Sequence, residues 1–230
     1  IEAGIKEFIF IISKKKESIK KYFFNDQFYK TILAKKKDKR IKQTFQKLKR
    51  YQKMIKFVYQ NKPKGTGDAI LKAQRLIKGS YFLMLFPDDL IIKKNCSKEM
   101  ISLHNKTKGS IIATKTVDKK NVSRWGILDP KKIKKKYFQI NDVVEKPSVQ
   151  QAPSNYAIIG RYILPKNIMK KLKKLKPGKG GEIHITDAIK QLINDGEKFY
   201  GNIFEGKYLD CGTLSGYINS AAEVSKENKK

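Results

Sequence analysis

An α/β fold, with parallel strands joined by crossover helices, is the class this sequence predicts, and two observations carry it. Strand-like and helix-like segments alternate through the first half, as parallel strands require, because each must be joined to the next by a long connection. Within that alternation Tyr81 to Phe86 is a mostly apolar run without period-2 alternation and bounded by turn residues, which reads as a strand buried on both faces. The size agrees: 230 residues with 40% hydrophobic content suit one large α/β domain or two small ones. With no repeat and no long linker, a single domain over residues 1–230 is the economical expectation.

The elements follow in order. Glu7 to Ile12 reads as a strand, and Ser13 as the cap of a charged helix from about Lys14 to Phe24. Lys30 to Lys53 is a Lys-rich amphipathic stretch with Ile41, Phe45 and Leu48 at helical spacing, a solvated helix over the sheet. Met54 to Tyr59 is the next strand, ending at Gln60. Gly67 to Leu76 is a helix with Ala69, Ile70, Ala73 and Leu76 on one side. Tyr81 to Phe86 follows, then a helix near Lys98 to Asn105 and the strand Gly109 to Thr114. The second half is mixed. Trp125 to Leu128 and Val143 to Glu145 read as short strands around a Lys-rich turn, and Ala157 to Leu164 as another. Asn167 to Leu175, Ile185 to Asp195 and Thr213 to Glu223 read as helices, and residues 225–230 as a disordered tail.

The net charge of +31 raises nucleic acid as a partner. However, 47 of the 52 basic residues are Lys and five are Arg, whereas base-edge recognition favours Arg, and the lysines are spread along the whole chain. A general lysine bias accounts for this, with weak nonspecific polyanion binding as its side effect. Cys96 and Cys211 are isolated and lack metal-site spacing, which argues against a zinc site and points to a reducing, cytoplasmic setting. The apolar run Phe8 to Ile12 is too short to span a bilayer, so no membrane partner is expected. With only His104 and His184, nucleophilic hydrolase chemistry is disfavoured.

Charged and glycine-bearing strand ends supply the candidate sites. Pro87-Asp88-Asp89 puts two carboxylates at a strand's carboxyl end, where open α/β sheets bind ligands, although either residue can serve merely as a cap. Lys64-Gly65-Thr66-Gly67-Asp68 leads into a helix whose free amides suit an anion or a base edge, or it is an ordinary tight turn. Gln60 just before it offers a paired donor and acceptor. Glu145-Lys146-Pro147 ends another strand: the Glu can accept from sugar hydroxyls and the Lys reach a phosphate, with a surface ion pair as the plain alternative. His184, between Ile183 and Ile185, reads as packed rather than as a catalytic base. Asp210, in Tyr208-Leu209-Asp210-Cys211-Gly212-Thr213, is a capping residue or a second metal ligand. Carboxylates, lysines and glycine turns together suit phosphate chemistry with a divalent metal.

Taken in order, these segments resemble the bacterial UTP:glucose-1-phosphate uridylyltransferases. The resemblance is carried by Ala3-Gly4-Ile5, Lys64-Gly65-Thr66-Gly67-Asp68-Ala69-Ile70-Leu71, Phe86-Pro87-Asp88-Asp89 and Val144-Glu145-Lys146-Pro147, then by 152–162 (Ala-Pro-Ser-Asn onward), 180–189 (Gly-Gly-Glu-Ile onward) and Asp210-Cys211-Gly212. It implies a Rossmann-like nucleotide-diphospho-sugar transferase fold, a mixed, mostly parallel sheet between helices. The implied reaction is attack of glucose-1-phosphate on the α-phosphorus of UTP, giving UDP-glucose and pyrophosphate. By the same resemblance Asp88 and Lys146 are catalytic, Asp88 and Asp210 hold Mg²⁺, Gln60 and Gly65 contact uracil, Gly126 and Glu145 contact the glucose hydroxyls, and Lys146 contacts the sugar phosphate. A cytoplasmic homo-oligomer is implied as well.

The departures from the family are specific. Its glycine-rich triphosphate loop, with an Arg and a Lys, has no match here, so the expectation is an amino-terminally truncated copy lacking the first βα unit, with little or no activity. His184 stands where Gln is common and Trp125 where Tyr is usual. Two other readings stay open from the sequence: another sugar-1-phosphate nucleotidylyltransferase using dTTP, ATP or CTP, and a basic nucleic-acid-binding protein.

Overall fold

The computed structural model describes residues 1–36 and 38–227, and these divide into two compact units. The first comprises Ile5–Ile77 and Pro177–Ile183. The second comprises Glu2–Gly4, Lys78–Lys176 and the chain from His184 onward.

In the first unit β1 (Phe8–Ile12) and β2 (Ile55–Tyr59) pair in parallel, with Phe8 opposite Ile55 and Ile12 opposite Tyr59. The parallel pairing requires a crossover, and three helices supply it: α1 (Glu17–Phe24), α2 (Asp26–Lys35) and α3 (Lys39–Gln52). The Lys30 to Lys53 stretch is therefore two helices. The second starts where Asp38 accepts from the amides of Arg40 and Ile41. Ser13 precedes a short 3₁₀ turn and makes no side-chain cap bond. Edge-to-face contacts of Phe10 with Phe23 and of Phe57 with Phe24 seat α1 on the strands, and Tyr29 stacks on Phe45. α4 (Thr66–Ala73) buries Ile70 and Ala73.

The second unit is built on a six-stranded mixed sheet in the order β3-β8-β5-β9-β7-β6. Its strands are β3 (Tyr81–Leu85), β5 (Ser110–Thr116), β6 (Gly126–Ile133), β7 (Tyr137–Glu145), β8 (Tyr156–Pro165) and β9 (Phe199–Ile203). β4 (Asp89–Ile92) and β10 (Lys207–Asp210) form a separate antiparallel pair. The α/β class and the mixed sheet stand as expected, but the balance of directions differs. Only β5 with β9 is parallel here; the other pairings are antiparallel. β8 is the cause. It lies between β3 and β5 and runs against both, so the two strands connected through α5 (Cys96–Thr107) run in the same direction without touching.

That order also corrects the reading of Tyr81 to Phe86 as buried on both faces. β3 is an edge strand paired with β8 alone, its residues are only half-buried, and Leu85 is exposed. An edge position leaves one flank uncovered even when the side chains are apolar. The core lies further in, where Met100 and Leu103 of α5 pack with Ile111, Ala113, Ile159, Ile163 and Phe204. Each of the larger side chains among them contributes roughly 1.5–3 kcal/mol on burial. α6 (Ile168–Leu172) and α7 (Ile185–Asn194) bury Ile168, Leu172, Ala188, Ile189 and Leu192. α8 (Leu214–Glu227) continues through Ser225–Glu227, part of the stretch expected to be a disordered tail; residues 228–230 lie outside the described chain. No helix among the described residues is long and apolar enough to cross a membrane.

Candidate active site

The paired strands β4 and β10 bring together carboxylates that are far apart in sequence. Asp89 and Asp210 are register partners, and the amide of Cys211 donates to the carbonyl of Asp88 at 2.8 Å. A Cβ added to Gly212 would lie 3.2 Å from Asp88 Oδ2 and 3.2 Å from Asp210 Oδ1, so both carboxylates border the same small volume. Asp210 Oδ1 accepts from the Gly212 amide at 2.8 Å, and Arg124 Nη2 meets Asp210 Oδ2 at 3.3 Å. That guanidinium lies over the Trp125 ring, 4.8 Å from its centre.

The two residues of the Asp-Asp pair have different environments. Asp88 is exposed; Asp89 is half-buried. Asp89 Oδ1 accepts from the Tyr208 hydroxyl at 2.6 Å and Oδ2 from the Gly160 amide at 2.7 Å. Burial pushes the Asp89 carboxyl above its ordinary value, while the bonds from Tyr208 and Gly160 pull it back. Burial and the neighbouring carboxylate also raise the Tyr208 phenol. Gly160 is required by close approach: a Cβ there would sit 2.4 Å from Asp89 Oδ2 and 2.4 Å from Phe86 Cδ2.

Next along the same unit, Gly126 and Glu145 are cross-strand partners of β6 and β7. A Cβ on Gly126 would meet Ile158 Cδ1 at 2.9 Å, Glu145 Oε2 at 3.2 Å and Thr186 Cγ2 at 3.3 Å. Lys146 follows with φ +44, held by its amide bond to the Trp125 carbonyl at 3.0 Å, and its ammonium makes no ion pair among the described residues. The surface ion pair considered for Glu145 and Lys146 is therefore absent among the described residues. His184 is partly buried at the N-cap of α7. Thr186 in the first turn is buried, and its hydroxyl has no hydrogen-bond partner among the described residues.

The remaining two candidates belong to the first unit. Gln60 Nε2 donates to Asp68 Oδ2 at 2.8 Å and to the Gly65 carbonyl at 3.2 Å. Its amide hydrogens are thus directed into the protein, and the carbonyl oxygen remains as the acceptor. Gly65 has φ +91, and a Cβ would sit 2.7 Å from the Ile183 carbonyl oxygen, so only glycine fits. One amide expected to be free at the start of α4, that of Gly67, donates to that same carbonyl at 2.8 Å. Sequence reasoning missed Asp68, which is only 8% exposed and fixes Gln60, as well as Arg124, Gly160, Thr186 and Tyr208. The one available signal was Asp68 eight residues after Gln60, at the first turn of a helix.

Among the described residues no cluster of three or more His, Cys, Asp or Glu side chains is placed to hold a metal. Two carboxylates nevertheless fit Mg²⁺, which is usually held by one or two carboxylates together with substrate phosphates. Asp88 and Asp210 are such a pair, bordering one volume at Gly212, while Asp210 Oδ2 is engaged by the Arg124 guanidinium.

Residues 9–227 match the nucleotidyl transferase family. The UTP–glucose-1-phosphate uridylyltransferase of Bacillus subtilis is 32% identical over 234 residues, covering 100% of this chain and 78% of that protein. The crystal structure of an apo UDP-glucose pyrophosphorylase superposes with a TM-score of 0.86 at 31% identity, covering 99% of this chain and 85% of that one. A UDP-glucose pyrophosphorylase complexed with UDP-glucose gives 0.81 at 32% identity, covering 98% and 83%. With its strand-end carboxylates and glycine cradles in a mixed α/β sheet, the chain belongs to the nucleotidyl transferase family and, within it, to the UTP–glucose-1-phosphate uridylyltransferases.

Proposed function

We propose that this protein transfers the uridylyl group of UTP to glucose-1-phosphate, releasing pyrophosphate and forming UDP-glucose. The observation that carries the reading is the convergence of Asp88 and Asp210 on Gly212, linked through Arg124 and Trp125 to the Gly126–Glu145–Lys146 corner. One phosphate oxygen of glucose-1-phosphate forms a bond to the α-phosphorus of UTP as the bond from that phosphorus to the pyrophosphate oxygen breaks. Both reactants are anions, so catalysis is chiefly positioning and charge stabilisation. Lys146, with an unpaired ammonium beside Glu145, offsets the charge of the sugar phosphate. Glu145 accepts from glucose hydroxyls, and Gly126 leaves the space they need. The Gln60 carbonyl suits the N3–H of uracil, and Gly65 lets the backbone approach the base. Mg²⁺, held by Asp88 and Asp210, would neutralise phosphate charge during the transfer.

The reading places the enzyme in the cytoplasm, where nucleoside triphosphates are made, and two unpaired cysteines accord with a reducing compartment. Its test is formation of UDP-glucose from UTP, glucose-1-phosphate and Mg²⁺, run in competition with dTTP, ATP and CTP. Asp88→Ala is expected to lower turnover by about 100-fold or more. An unchanged rate in that variant, or a preference for another nucleotide, would sink the proposal.

A further inference from the structure

We propose that Asp89, held by Tyr208 and Gly160, is a positioning residue that sets the spacing of the Asp88 and Asp210 carboxylates. The inference rests on the metal reading above but concerns residues outside the ligand pair. Asp89 directly follows Asp88, and Tyr208 lies two residues before Asp210 on β10, so their bond ties the segment bearing one ligand to the strand bearing the other. At 2.6 Å it lies in the range of charge-assisted O–H···O⁻ bonds. The second Asp89 oxygen is anchored to the sheet by the Gly160 amide of β8, and Arg161 Nη2 reaches the Asp89 carbonyl at 3.2 Å. Asp89 is thereby fixed on both sides, with neither carboxylate oxygen left over for a substrate. Mg²⁺ demands near-ideal octahedral geometry at about 2.0–2.1 Å, so a small drift between β4 and β10 is felt directly at the metal.

The test variant is Tyr208→Phe, which keeps the ring packed against the core and removes only the hydroxyl. Mn²⁺ affinity is read by electron paramagnetic resonance in the presence of UDP-glucose, alongside the KM values for Mg²⁺ and glucose-1-phosphate and the melting temperature. The dissociation constant for Mn²⁺ is expected to rise by about 10-fold or more, as for other partners that orient metal ligands. The KM for Mg²⁺ should rise with it, while the KM for glucose-1-phosphate and the melting temperature hold. Asp89→Asn, which keeps the shape but can accept only one of the two bonds, should act in the same direction and serves if Tyr208→Phe does not fold. Unchanged Mn²⁺ affinity in a folded variant, while Asp88→Ala loses it, would overturn the positioning role alone. Mn²⁺ affinity that survives Asp88→Ala would overturn the metal reading and this inference together.

Discussion

Gly160 shows how little room the site leaves at single positions, because its missing side chain is what admits both Asp89 and the Phe86 ring. Cys96 is the opposite case, a reactive group kept out of use. Burial pushes its thiol up to about 12, so almost no thiolate forms near neutrality. With Cys211→Ser, the remaining thiol should stay unreactive toward a disulfide reagent at pH 8 until denaturant is added; fast labelling of the folded variant would contradict its burial. Legibility at this scale depended on whether a residue announced its own role. Asp88, Glu145, Lys146 and Asp210 stand at strand ends beside Pro or Gly, so their candidacy was visible locally. Asp89 and Asp88 looked equivalent there, because what separates them is a hydroxyl 119 residues further along the chain. Asp68 was hidden for the same reason, since its role comes from burial and from its bond with Gln60, and Thr186 is set apart only by its burial.

Among the elements, the α2–α3 hairpin is held at one corner by a polar contact. Asp26 accepts from Lys49 Nζ at 2.7 Å and from Gln52 Nε2 at 2.9 Å, and these bonds hold its carboxyl below the ordinary range. The folded value lies below the unfolded one, so this stabilisation is fully present above the unfolded pKa and is lost as pH falls through the folded value. Asp26 is only partly buried, so solvent screens the pair and the effect is small. Melting curves from pH 6 to pH 2 should show a slightly steeper acid decline for the native protein than for Asp26→Asn; parallel declines would refute the contribution. The long elements were readable from periodicity, and the short ones were not. β4 and β10, four residues each, are too brief to show alternation, and β10 looked like a turn because it ends in Asp210 with Gly212 just beyond. β9 carries Gly201 in mid-strand, which argues against a strand until the Phe138 ring is seen lying against it. The β6–β7 hairpin extends through lysines that the sequence suggested were turn, because lysines on a solvated flank do not interrupt a ladder.

For the whole molecule the net charge of +31 is the dominant long-range property. With lysines on every α-helix, the protein should bind heparin or single-stranded nucleic acid weakly, with affinity falling steeply in salt and unaffected by Asp88→Ala. Sequence-selective binding, or loss of binding in that variant, would revive a nucleic-acid role. The pairing of β4 with β10 has a further consequence for biosynthesis. Asp88 is made before Asp210, so a nascent chain stalled between Asp88 and Tyr208 carries one of the two proposed ligands and neither the other nor the strand that aligns it. On the proposed metal reading, a chain that has not yet made β10 lacks the second carboxylate with which to hold a nucleotide–metal complex.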